Sequence, residues 1–230
     1  MKTLRAYALA GAALAGLLSA CVSKPPTPSW ELEAHSASER AVKAYFKGQT
    51  RVAEVEWQKA FNEVAATGQP SAMARMALLQ CAAQVSALEV SDCPRYQRYA
   101  AGADEAEQAY ARYLNHRHTA EDVPLLPAAQ QQVAAQLLSQ SLAITLPASA
   151  EPLSQLTAAG VALRAGAIDL QGVREAVRIA SEQGWRRAVT AWLLVEKRWA
   201  QEAGDVQAAE ALELRLQVLQ EQETSKASKK

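Results

Sequence analysis

The chain has 230 residues with 24 basic and 24 acidic side chains, and half of its residues are hydrophobic. That length suits one domain or two small ones and excludes a large multidomain enzyme. The balanced charge argues against nucleic-acid binding, which needs a basic face for phosphates. Fifty alanines stand against three isoleucines and two phenylalanines, which favours helices over strands and close helix packing across small side chains.

Lys2 and Arg5 supply a short positive region, and an apolar stretch runs from Ala6 to Leu18. That stretch is too short for a comfortable transmembrane helix and fits the apolar core of a secretory signal. Leu18-Ser19-Ala20-Cys21 follows at once. These four residues resemble a bacterial lipobox, in which small residues precede an obligatory cysteine whose thiol takes the lipid. The resemblance implies a signal peptide over residues 1–20, a diacylglyceryl group on Cys21, and acylation of the new amine after cleavage. An ordinary secretory signal with a chance cysteine is the competing reading. In the lipoprotein family an aspartate just after the cysteine commonly implies inner-membrane retention. Val22 and Ser23 stand here instead, which implies the outer membrane, facing the periplasm. Several acyl chains anchor firmly where one would be marginal. Beyond residue 20 the chain keeps 22 basic and 24 acidic residues and 43 of the alanines.

Residues 21–35 form the expected lipid attachment and tether. Lys24-Pro25-Pro26-Thr27-Pro28 favours an extended polyproline spacer. Trp30 lies either against the first helix or near the membrane interface. The helical domain is expected over 36–222, with a charged, frayed tail over 223–230.

Ser36 and Glu39 have the spacing of a capping box, so the first helix is predicted to run from there to Lys47 and stop at Gly48. A second begins near Thr50, with Val52, Val55, Trp57, Ala60, Phe61 and Val64 recurring at three to four residues. Gly68-Gln69-Pro70 breaks it, and a third helix spans Ser71 to about Leu88. Asp92-Cys93-Pro94 is the next break. Tyr96 to Leu114 reads as two helices interrupted near Gly102 or as one bent helix. Asn115 to Pro127 reads as a loop, followed by a helix over about 128–142 and a break from Pro147 to Pro152. Four further helices are predicted near 152–165, 169–183, 185–203 and 205–221. Gly166, Gly184 and Gly204 separate them, where a left-handed backbone is tolerated.

Paired helices with short turns invite a search for repeats. Ala44, Tyr45, Gly48, Ala53, Trp57 and Ala60 are placed so that Ala37–Ala60 resembles part of a tetratricopeptide repeat. Leu193, Ala200, Gly204-Asp205 and Ala209 resemble it again, with Glu213 where the family has an aromatic. Gly102, Ala106 and Tyr110 form a weaker echo. The resemblance implies an all-α fold of antiparallel helical hairpins, either a tetratricopeptide-like α-solenoid or an irregular α/α array. Stacking would let each hairpin bury its apolar stripe on its neighbour.

Trp185, Trp192 and Trp199 recur every seven residues, which places them near one face of a helix. Three large rings on one face are most often core. The functional alternative is a partner-binding groove, since aromatic residues are favoured at interface centres. Arg186, Arg187, Lys197 and Arg198 nearby read as a solvated face. Apart from Cys21, the cysteines are Cys81 and Cys93, an even pair in a chain bound for an oxidising compartment. A disulfide between them would stabilise by roughly 2–4 kcal/mol, and buried thiols are the alternative.

Enzyme readings find little support. His116 and His118, with Glu121 and Asp122, are near enough to hold a metal, though a polar loop is the commoner meaning. The sequence contains no HExxH, phosphate-binding glycine loop or GxSxG elbow, and neither a cofactor nor a catalytic residue is assigned. The expected function is a lipid-anchored helical scaffold that presents a groove to a periplasmic or outer-membrane protein in an envelope assembly or secretion process. The alternatives are an accessory subunit or enzyme acting on cell-wall polymer, and a small-ligand carrier.

Overall fold

The computed structural model describes residues 27–89, 92–140, 143–148 and 150–227. The fold is all-α, with no strand among the described residues. The helices are α1 (Ser29–Phe46), α2 (Thr50–Ala65), α3 (Pro70–Ser86), α4 (Pro94–Gln97), α5 (Glu105–Leu114), α6 (Ala128–Leu138), α7 (Pro152–Arg164), α8 (Leu170–Glu182), α9 (Arg186–Glu202) and α10 (Val206–Ala227). Two short 3-10 turns, Ala100–Gly102 and Val123–Leu125, lie on either side of α5. No helix among the described residues is long and apolar enough to cross a membrane.

The first helix starts well before the expected capping box. Pro28, at φ −56°, occupies the N-cap position, and α1 runs on through Ser36 and Glu39. Residues 29–35, expected to lie in an extended tether, are helical. The reason is burial: Ala34, Ala37 and Ser38 face the core, and nothing from Ser29 to His35 interrupts a helix. Ser38 also donates to the His35 carbonyl at 2.8 Å, a bond inside a helix rather than at its end. A capping box does exist at Asp104 and Glu107 at the head of α5. At the other end, α10 continues to Ala227, into the region expected to fray.

The hairpin turns follow the glycines. Gly166, Gly184 and Gly204 have φ of 67°, 62° and 71°, the left-handed conformation that closes a helix at little cost only for glycine. The segment after α3 is more strained. Leu88 and Cys93, neither a glycine, have φ of 59° and 50°. A disulfide joins Cys93 to Cys81 of α3 with Cα atoms 5.4 Å apart, and both cysteines are buried.

Helix order in space departs from a solenoid. α1 and α2 form a close hairpin, and α8, α9 and α10 pack consecutively. Yet α3 packs mainly on α7, and α1 meets α9. A linear stack would leave these partners far apart. The hairpins thus form the irregular α/α array, folded back on itself around α3 and α7.

Small residues make the α3–α7 approach close. A Cβ on Gly160 of α7 would sit 2.4 Å from the Val85 carbonyl oxygen of α3. Alongside, the Ser86 and Thr157 hydroxyls lie 2.9 Å apart, each also 2.8 Å from a carbonyl of its own helix, Ala82 and Leu153. Replacing Gly160 with valine should force these helices apart. The expected loss is about 1–3 kcal/mol, the range of core overpacking, read as a lower midpoint in thermal or urea unfolding. Gly166→Val does not test this seam, because open space surrounds that position and only its backbone is strained.

Candidate functional site

A groove of about 660 Å³ lies between the start of α1, α3, α5 and the segment before α6. Its size falls within the usual range of ligand sites. The floor is apolar, with Ala72, Met76 and Leu79 from α3 and Tyr110 from α5. Trp30 and Leu125 stand at its sides, and Leu125 is well exposed. α1 brings Trp30 here because the helix begins at Ser29, ahead of the predicted start.

One ion pair is fixed beside this apolar floor. Arg75 donates through Nε and Nη2 to Glu107 Oε1, at 2.9 and 2.7 Å. Glu107 is buried, and its Oε2 accepts the Asp104 backbone N–H at 2.8 Å. The carboxylate that caps α5 thereby also orients a largely exposed guanidinium at the groove's rim. Burial pushes the Tyr110 hydroxyl above the ordinary phenol range.

The three tryptophans do not form a groove. Trp192 is fully buried, and its Nε1 donates to the Ser86 carbonyl at 3.0 Å. Trp185 is the N-cap residue of α9, outside the helix proper, and stacks on Phe46 at 4.2 Å with rings 5° from parallel. Trp199 is half-buried against the core. As the N-cap, Trp185 still accepts the Val189 N–H at 2.9 Å on its carbonyl, so it continues the register of the helix. Trp192 anchors α9 to α3, while Trp185 and Trp199 pack on the core and remain partly exposed.

Of the nearby cations only Arg198 is a solvated one, exposed and paired with Glu202 of its own helix. Arg187 donates to Tyr45 O, Glu89 Oε1 and Thr50 Oγ1, each at 3.0 Å. Arg186 reaches the Lys47 carbonyl at 3.3 Å. Lys197 pairs with Glu213 across α9 and α10 at 2.5 Å. These side chains clasp the α1–α2 turn to α9 and α9 to α10. The position expected to hold a repeat's aromatic, Glu213, carries an ion pair instead.

His116 and His118 lie in the loop after α5, with ring centroids 6.2 Å apart. His118 is buried, and its Nε2 lies 3.0 Å from the Ala134 carbonyl, so that nitrogen carries the proton. Asp122 receives a two-point bond from Arg112 and one from the Thr119 N–H at 2.9 Å. These bonds brace the loop, and among the described residues no group of three or more ligating side chains could hold a metal. Cys21 lies outside the described residues.

No protein-family model, curated protein or solved structure matches this chain. The geometry of its own residues therefore carries the functional argument.

Asp122 makes an acid test of the loop. The Arg112 guanidinium holds its pKa at about 2, below the ordinary value near 3.9. A carboxylate depressed in the folded state stabilises above its unfolded pKa, and that contribution fades as pH falls toward the folded pKa. Asp122→Asn should therefore melt well below the parent at pH 6. The gap should narrow as pH falls from about 4 to about 2, as followed by circular dichroism.

Proposed function

We propose that this chain is an outer-membrane lipoprotein whose helical body faces the periplasm and acts as a scaffold in an envelope assembly or secretion process. Its groove between α1, α3 and α5 takes an apolar segment of a partner protein. The observation that carries this reading is the groove itself. It joins an apolar floor of Met76, Leu79 and Tyr110 to a guanidinium held at the rim by buried Glu107. A concave apolar strip with a fixed polar anchor suits a protruding side-chain cluster of another protein.

The sequence supports the address. The Leu18-Ser19-Ala20-Cys21 resemblance to a lipobox puts acyl chains on Cys21. Ser29 stands eight positions after Cys21, so α1 starts at most roughly 29 Å from Cys21. Trp30, on the groove's wall, belongs to the first turn of that helix. A partner in or on the same membrane would lie within reach of the groove. The groove is only partly enclosed, which favours a protein segment over a sequestered small ligand.

A photocrosslinking amino acid at Leu125 tests the groove in cells. A discrete covalent adduct with one envelope protein is expected there, and none from the same group at Leu194 on the far helix α9. Equal adducts at both positions, or none at Leu125, would overturn the groove assignment. Radiolabelled palmitate separately tests the anchor. Incorporation should be lost in Cys21→Ala, and retained labelling removes the lipidation proposal.

A further inference from the structure

The last helix has a second apolar stripe. α10 packs on α9, and its Leu212 and Leu216 are buried. A surface helix with one face on the core ordinarily turns polar side chains outward. On α10, Ala211, Leu214 and Val218 recur at three and four residues and so share one side. All three are exposed, Leu214 by 63% and Val218 by 53%.

The charges beside this stripe are unmatched too. On α9 and α10, Arg187, Glu196, Lys197, Arg198, Glu202 and Glu213 are held in ion pairs. Arg186 bonds the Lys47 carbonyl, and Glu221 is engaged as well. Among the charged side chains described on these two helices, only Glu210 and Arg215 make no such bond. Five residues apart, they point about 140° from each other round the helix. That is too far for the i, i+3 or i, i+4 pairs that form within one helix.

The same spacing suits two helices. In heptad terms Ala211 and Val218 take a positions and Leu214 a d position, which puts Glu210 at g and Arg215 at e. Valine at a with leucine at d favours two-stranded coils, and charges at e and g set partner and orientation. When two copies lie parallel, g of one helix faces the e that stands five positions further along the other. Glu210 of each copy then meets Arg215 of the other, twice by symmetry. In antiparallel register g faces g and e faces e, and Glu210 would find no cation. The seam is one heptad long, with Gln207 and Glu221 at the neighbouring d positions. It is therefore smaller than the roughly 1,200–2,000 Å² of a stable interface, and the association is weak and set by concentration.

We propose that α10 joins two copies of this chain in a weak parallel dimer. Ala211, Leu214 and Val218 meet their own counterparts, and Glu210 pairs across the seam with Arg215. The inference uses no residue of the groove and stands without it.

Copper-catalysed cysteine crosslinking of the purified full-length chain in detergent tests it, with linked peptides read by mass spectrometry. Ala211→Cys should give a dimer joined through position 211. Leu194→Cys, exposed on α9, should give none. Adding Glu210→Arg should lower the yield at position 211 about fivefold, because both symmetric pairs become repulsive. Adding Arg215→Glu as well should restore it. Both charged side chains are exposed and bond nothing within the chain, so the melting temperature should stay unchanged throughout. Three outcomes overturn the proposal. One is a yield from Ala211→Cys no higher than from Leu194→Cys. Another is Ala211→Cys linking to Val218→Cys in preference to itself, the mark of antiparallel register. The third is a yield that Glu210→Arg leaves unmoved or that the double reversal fails to restore.

Discussion

The end of α3 is where the fold is pinned. Val85 admits α7 only because position 160 has no side chain, since a Cβ there would meet its carbonyl at 2.4 Å. One residue on, Ser86 meets Thr157 through its hydroxyl and takes the Trp192 indole N–H on its carbonyl. Carbonyls in the last turn of a helix lack helical partners, and here a partner comes from another helix. Three helices distant in sequence thus converge on one turn. Trp192, the largest fully buried side chain, fills the junction. The fold-back that separates this array from a linear stack follows from the same contact.

The same helix explains why part of the fold was hidden in the sequence. Hairpins such as α1–α2 and α8–α9 could be read because each has one buried stripe and a glycine at its turn. α3 has no such stripe. Met73, Ala74, Ala77, Leu78, Cys81 and Ala82 are buried, Ala72, Met76 and Leu79 border the groove, and Gln80, Ala83 and Gln84 border a smaller cleft. A helix packed nearly all round shows no amphipathic period. Its position could be predicted from its breakers, Pro70 and Asp92-Cys93-Pro94, but its neighbours could not. The choice between one bent helix and two after Tyr96 was open for a similar reason. Gly102 ends a 3-10 turn pressed against Pro70, where a Cβ would sit 2.4 Å away, and that contact is invisible to local pattern.

Site residues divided along the same line. The Cys81 and Cys93 pairing was legible because, apart from Cys21, they are the chain's only cysteines. The tryptophan spacing placed Trp192 in the core but could not separate its 0% exposure from the partial exposure of Trp185 and Trp199, because that depends on which helices pack against each ring. The groove had no sequence signal at all, since its walls come from four separated segments. One local cue did exist. Asp104 and Glu107 have capping-box spacing, and recognising it would have placed the carboxylate that orients Arg75.

The groove and the smaller cleft beside α2 take different sides of α3. Met76 and Leu79 face one, while Gln80 and Gln84 face the other, on a helix that the Cys81–Cys93 disulfide and the Gly160 seam hold in place. A well-packed helix shifts as a unit rather than bending locally. An occupant of the groove that displaced α3 would strain the Ser86 junction before it reached the cleft. The geometry therefore favours a preformed groove on a rigid support. It should fill without large backbone movement, so that affinity is set by the side chains lining it rather than by rearrangement of the array.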